Sequence, residues 1–211
     1  MSSFIQRIIF KLRWMLKSSL KLRLRKIWWT IQGASFGLQT NIPSLQMTWP
    51  HKVKIGNNCV LEEDIFFKFD GIWQPGKSII VQDRVFIGRG CEFNIRQSID
   101  IGNDCLIGSG CKFIDHDHGL TNLDQPINKQ SGVEIPIVIE ENVWLGANVI
   151  VLKGVVISNG SIVGAGSIVT KSIPANEIWA GIPARKIRER NKKPSLTNLE
   201  SETNQPTALN Y

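Results

Sequence analysis

Between Ile139 and Pro174 the chain divides without interruption into units of six residues: IEENVW, LGANVI, VLKGVV, ISNGSI, VGAGSI and VTKSIP. An aliphatic residue opens every unit, in turn Ile139, Leu145, Val151, Ile157, Val163 and Val169. Four places on stands a small or β-branched residue, Val143, Val149, Val155, Ser161 or Ser167. A period of six matches neither the 3.6-residue period of an amphipathic helix nor the alternation of a half-buried strand. It is the mark of a parallel β-helix, in which each unit supplies one short strand and one corner. Three units close a triangular coil of about 18 residues, so the openers of successive coils stack into one aliphatic column. The fold class expected is all-β.

Isolated units carry the pattern upstream: IGNNCV from Ile55, VQDRVF from Val81, IGRGCE from Ile87, IGNDCL from Ile101 and IGSGCK from Ile107. The four cysteines fall within this frame. Cys59, Cys91, Cys105 and Cys111 each stand four places after an opener, and no CxxC occurs. They read as small inward hydrophobes in a reducing, cytoplasmic setting, not as disulfides or metal ligands. After Phe113 the period stops, and a loop over 114–136 precedes its return. Loops of that length inside a compact domain are usually functional. The organisation expected is a basic N-terminal segment of helix and connector over 1–50, the β-helix over 51–190, and a polar tail over 191–211. The tail has no apolar periodicity and is expected to be disordered.

The formal charge of +7 is held unevenly. Residues 1–61 contain ten Lys/Arg and no carboxylate, whereas the rest carries fifteen Lys/Arg against eighteen Asp/Glu. Basicity therefore belongs to the first segment, and a nucleic-acid partner is not expected for the repeat body. At about 100° per residue, Arg7, Lys11, Arg13, Lys17, Lys21 and Arg25 share one face of a helix over 4–29. Charges recur too often there for a membrane span or a signal peptide. Two roles fit this segment: a cap over the open end of the solenoid, and an interfacial helix held on an anionic membrane, with Trp14, Trp28 and Trp29 beside the basic face.

With the hexads in view, residues from about 53 to 190 resemble the hexapeptide-repeat acyltransferases, in the branch that O-acetylates sugars and polysaccharides. The stretch NVWLGANVIVLKGVVISNGSIVGAGSIVTKSIPANEIWAGIPARKI is similar to the acetyl-CoA-binding end of that family, and FIDHDHG in the loop looks like a signature of the polysaccharide branch. The resemblance implies a left-handed parallel β-helix, a homotrimer with sites between prisms, acetyl-CoA as acyl donor, a glycan acceptor and no metal. It implies a cytoplasmic protein, peripheral at the inner face of the membrane where the N-terminal helix touches lipid.

Acyl transfer to a hydroxyl needs a base to take the proton as oxygen attacks the thioester. The chain has three histidines, and His116 and His118 sit at the root of the loop. The resemblance puts His118 on the catalytic base, with Gly119 where sugar acetyltransferases usually carry proline; His116 is the second candidate. Asp115, Asp117 and Glu134 are the carboxylates close enough in sequence to orient an imidazole, and residue order leaves the choice among them open. Asp115 is counted with the catalytic group and Asp117 with the acceptor. Asn94 resembles an acceptor-binding asparagine. On the donor side the resemblance assigns Trp144 to the pantetheine arm, Gly146, Ala147, Gly164 and Ala165 to close backbone approach, Lys171, Arg185 and Lys186 to the CoA phosphates, and Pro183 to the adenine.

Other readings are weaker. A β-helix carbonic anhydrase needs a histidine pair five apart plus a third upstream, whereas His116 and His118 are two apart. A non-catalytic scaffold would not need the histidine pair or Trp144. N-acylation of an amino-sugar nucleotide stays open beside O-acetylation.

Overall fold

A computed structural model of the chain describes residues 5–7 and 20–190. The hexads build a three-sided prism. The first side holds β1 (Ser35–Phe36), β3 (Val53–Ile55), β6 (Ile79–Val81), β9 (Ile99–Ile101), β12 (Ile137–Ile139) and β15 (Val156–Ile157). The second holds β4 (Val60–Leu61), β7 (Phe86–Ile87), β10 (Leu106–Ile107), β13 (Trp144–Leu145), β16 (Ile162–Val163), β18 (Glu177–Gly181) and β19 (Ala184–Glu189). The third holds β2 (Leu45–Met47), β5 (Ile65–Phe69), β8 (Glu92–Ile95), β11 (Lys112–Ile114), β14 (Ile150–Leu152) and β17 (Ile168–Val169). From β3 to β17 the chain visits the three sides in rotation, and every pairing among these strands is parallel.

The hexad frame decides what is buried. The openers Ile139 to Val169 and the residues four places after them all lie inside, as do the four cysteines, which are free thiols. Phe67, Phe93 and Phe113 stack down the axis at 4.8 Å between ring centroids, the spacing of hydrogen-bonded strands (about 4.7–4.9 Å). In every unit named above except VTKSIP the fourth residue turns the corner in the left-handed region, as Asn58 (φ 53°), Asn148 (58°) and Gly166 (70°) do, residue types that tolerate it. Arg84 holds the same place at φ 58°, where a forked pair with Asp104 on the next coil fixes its side chain.

The solenoid begins before the hexads do. β1 and β2 pair with β3 and β5, and Ala34, Thr40, Ile42 and Leu45 are buried in this added coil. The period is hidden here because a polar residue takes a core place. Thr40 satisfies its hydroxyl by donating to Gly56 O (2.8 Å) and accepting from Cys59 N (3.0 Å).

Helix α1 (Leu20–Ile31) covers this end. Trp29 packs on the core, and Lys26 Nζ donates to Gly37 O at 2.6 Å. On the opposite face Leu24, Ile27, Trp28 and Ile31 are exposed at the i, i+3, i+4, i+7 spacing of an apolar stripe. Within α1 the outward face is thus apolar, flanked by Arg23 and Arg25. Lys11, Arg13 and Lys17 lie outside the described residues, as does the tail. No helix of the described residues is long and apolar enough to cross a membrane.

The second side carries a further apolar stripe. Val60, Phe86, Leu106, Trp144, Ile162 and Ile178 stand opposite one another on successive strands, all pointing outward. The antiparallel hairpin β18–β19 ends that sheet.

Candidate active site

The loop 114–136 leaves the prism at the corner between its third and first sides. Asp115, fully buried, accepts from three successive amides of the neighbouring corner: Arg96 N (2.9 Å), Gln97 N (2.7 Å) and Ser98 N (3.0 Å). Three N–H donors pin this carboxyl group in one orientation. Its Oδ1 also lies 3.0 Å from His116 Nδ1, which makes Asp115 the carboxylate that orients His116. The His116 side chain is 12% exposed, and its backbone pairs antiparallel with Glu134.

Asp117 closes the loop. Its Oδ1 accepts from Val133 N at 3.1 Å and its Oδ2 pairs with the Lys153 ammonium. Lys153 first, then the Val133 amide, hold this carboxyl below the usual carboxylate range. Asp117, expected to meet the acceptor, is thus engaged within its own chain. His118 is exposed, and its ring forms no hydrogen bond among the described residues. Gly119 faces Ser131: a Cβ there would lie 2.5 Å from Ser131 O. The closing loop therefore requires glycine at the place where sugar acetyltransferases usually carry proline.

Asn94 stands on the outward face of β8, in register with Ile114 two residues before His116, and its Oδ1 accepts from Lys68 Nζ at 3.0 Å. Asp115, His116, Asp117, His118 and Asn94 thus lie together at one edge of the prism. Lys171 lies at the same edge, one coil beyond Lys153 and exposed. Trp144 lies elsewhere, on the second side, and Gly146, Ala147, Gly164 and Ala165 form the corner between the second and third sides. That corner is tight: a Cβ on Gly146 would lie 2.5 Å from Ala165 N, so coil stacking alone demands this glycine. Pro183 and Arg185 are exposed on the β18–β19 hairpin. Lys186 there is neutralised by Glu177 (2.6 Å) and Glu189 (3.2 Å).

Two participants were not anticipated. Lys153 pairs with Asp117, and Arg96 Nε lies 3.0 Å from Glu134 Oε1, tying the loop to the previous corner. Both sit at corner positions where the hexad pattern constrains nothing. Among the described residues no three His, Cys, Asp or Glu side chains gather as a metal site.

A family profile described as the hexapeptide repeat of succinyl-transferase matches residues 78–112 and 136–171, the two blocks that flank the loop. The chain is 32% identical over 169 residues to a galactoside O-acetyltransferase of Lactococcus lactis, covering 74% of this chain and 75% of that protein. It is 41% identical over 110 residues to WbbJ of Escherichia coli, named provisionally as a lipopolysaccharide biosynthesis O-acetyl transferase, covering 47% of this chain and 55% of that one. Among solved structures, a variant of AntD, an N-acyltransferase from Bacillus cereus, superposes with a TM-score of 0.68 at 22% identity, covering 88% of this chain and 96% of that one. That crystal holds dTDP-4-amino-4,6-dideoxyglucose and coenzyme A. The coil is therefore the left-handed parallel β-helix, and the chain belongs to the hexapeptide-repeat acyltransferase family. It spans about half the length of several other curated relatives that it matches.

Proposed function

We propose that the protein is an acetyl-CoA-dependent O-acetyltransferase acting on a sugar hydroxyl of a surface polysaccharide or its precursor. The observation that carries this reading is the loop: its root is fixed by Asp115 and Asp117, and it presents the uncommitted imidazole of His118 at the prism edge. His118 takes the proton of the acceptor hydroxyl as the oxygen attacks the thioester carbonyl. The carbon–sulfur bond then breaks, and CoA leaves as the thiol with that proton. Backbone amides serve the oxyanion, and Asn94 orients the acceptor. A galactoside and a lipopolysaccharide acetyltransferase among the relatives support a sugar hydroxyl as acceptor.

His118 and Trp144 occupy different edges of one prism, so a site uniting them needs a second copy. We place the protein as a homotrimer packed through the apolar stripe of the second side, with the loop of one copy against Trp144, the 146–147 and 164–165 corner and Lys171, Pro183, Arg185 and Lys186 donor groups supplied by the assembly. The exposed stripe of α1 between Arg23 and Arg25 supports peripheral contact with the cytoplasmic face of an anionic membrane.

A second reading assigns the base to His116, because its Nδ1 already has the carboxylate partner that orients a general base. The two separate cleanly. His118→Ala should lower kcat by about 10²–10⁴-fold with acetyl-CoA affinity and melting temperature retained, while His116→Ala should lower the melting temperature by loosening the loop root. Full turnover in His118→Ala would end the first reading. The linkage formed is read from the product: a sugar O-acetyl ester is cleaved by alkaline hydroxylamine, whereas an amide, the product of N-acylation, survives it.

A further inference from the structure

Next to the loop root, the stacked corners between the third and first sides form a pocket of about 270 Å³, near the lower end of small-molecule sites (about 300 Å³). Lys52, Phe69, Ser78, Arg96, Gln97 and Glu134 line it. It adjoins His116: Arg96 and Gln97 donate their amides to Asp115, and the Glu134 backbone pairs with that of His116.

Lys52 is the unusual residue. It is 2% exposed, its Nζ donates to Gln74 O, and it stands 4.8 Å from the centre of the Phe69 ring. Yet no carboxylate of the described residues forms an ion pair with it, and a desolvated ammonium without a counter-charge costs stability. Arg96 brings a second cation. Its Nε lies 3.0 Å from Glu134 Oε1, but off the N–H axis, so that buried donor has no hydrogen bond. Two cations thus face one carboxylate around a partly open pocket, one donor is unused, and both strong oxyanion-binding groups are already in place.

We propose that this pocket binds an oxyanion carried by the acceptor, a phosphate or carboxylate attached to the sugar that is acetylated, with Lys52 and Arg96 as its counter-charges. The assignment of the anion to an acceptor rests on the acetyl-transfer reading; the anion site itself does not. An anion anchored here would lie beside the loop root and deliver a neighbouring hydroxyl toward the loop histidines.

The test uses the full chain in its native assembly. Inorganic pyrophosphate and D-glucuronate are titrated separately by calorimetry, with acetyl-CoA in parallel, into wild type, Lys52→Met and Arg96→Gln. One probe should bind wild type saturably and tell phosphate from carboxylate; each variant should lose at least tenfold of that affinity while its acetyl-CoA binding stays unchanged. Lys52→Met keeps the aliphatic stem and removes the charge, so it should melt at or above wild type if the ammonium is retained for a ligand. The proposal is overturned if neither probe binds, if the variants bind as wild type does, or if Lys52→Met melts several degrees lower with binding intact. Anion binding without acetyl-CoA binding would overturn the acetyl-transfer reading and leave the anion site standing.

Discussion

At the scale of single residues, burial does two different jobs in this molecule. Asp115 is buried with its oxygens occupied, by three amides and an imidazole nitrogen. Cys105 is buried and neutral: its Sγ meets only Glu140 O, and burial pushes its thiol up to about 11 from 9.0. Burial also pushes the Cys59 thiol up, and Cys91 rises through its contact with Cys111 and its burial. A raised folded value means a stability contribution fully present below 9.0 and lost as pH climbs through 11. The melting temperature should therefore decline between pH 9 and 11, and Cys105→Val should shallow that decline. Because Val143, Val149 and Val155 fill the same slot in later coils, this substitution should cost less than about 1.5 kcal/mol at neutral pH. Thiol titration with Ellman's reagent at pH 8 should find the native protein nearly silent and the denatured chain fully reactive. Rapid labelling of the native protein would contradict this packing.

At the scale of elements, the first coil and the helix over it act together. Trp29 and Lys26 of α1 are committed to the solenoid, while Leu24, Ile27, Trp28 and Ile31 face away from it. Removing the helix outright would uncover the coil, so membrane contact is tested by reversing the stripe instead. Leu24→Glu with Trp28→Glu should abolish sedimentation with anionic liposomes without lowering the melting temperature; equal sedimentation of variant and wild type would exclude this face as the membrane contact. Much of the fold was legible from Val53 onward, because a six-residue period states directly which side chains point inward. The coil before it was not, since Thr40 hides a core position behind a polar name. The loop was legible as an interruption, but its internal partners were not. Asp115, Asp117 and Glu134 were indistinguishable by residue order. The choice between them depends on which amides the preceding corner turns inward and on where Lys153 falls one coil later, and no periodicity encodes either.

At the scale of the whole molecule, the decisive feature is the outward row on the second side. Five of its positions recur at the sixth place of a hexad, Val60, Phe86, Leu106, Trp144 and Ile162, and Leu106 is 52% exposed in the single chain. A continuous apolar ridge along a prism face marks a surface that another chain covers. It also carries Trp144, which the resemblance assigns to the donor, so the proposed trimer would couple assembly to catalysis through one surface. Leu106→Glu combined with Ile162→Glu places two charges in the middle of the ridge, where burying them unpaired is costly, while every inward-facing residue is left untouched. Light scattering after size exclusion should show wild type at three times the chain mass of 23.7 kDa and the double variant at one. The variant should keep its β circular-dichroism spectrum but lose acetyl transfer, because His118 of one copy would no longer face Trp144 of another. A variant that stays at the wild-type mass would show that the ridge is not the interface. One that is monomeric yet fully active would show that a single prism contains the whole site.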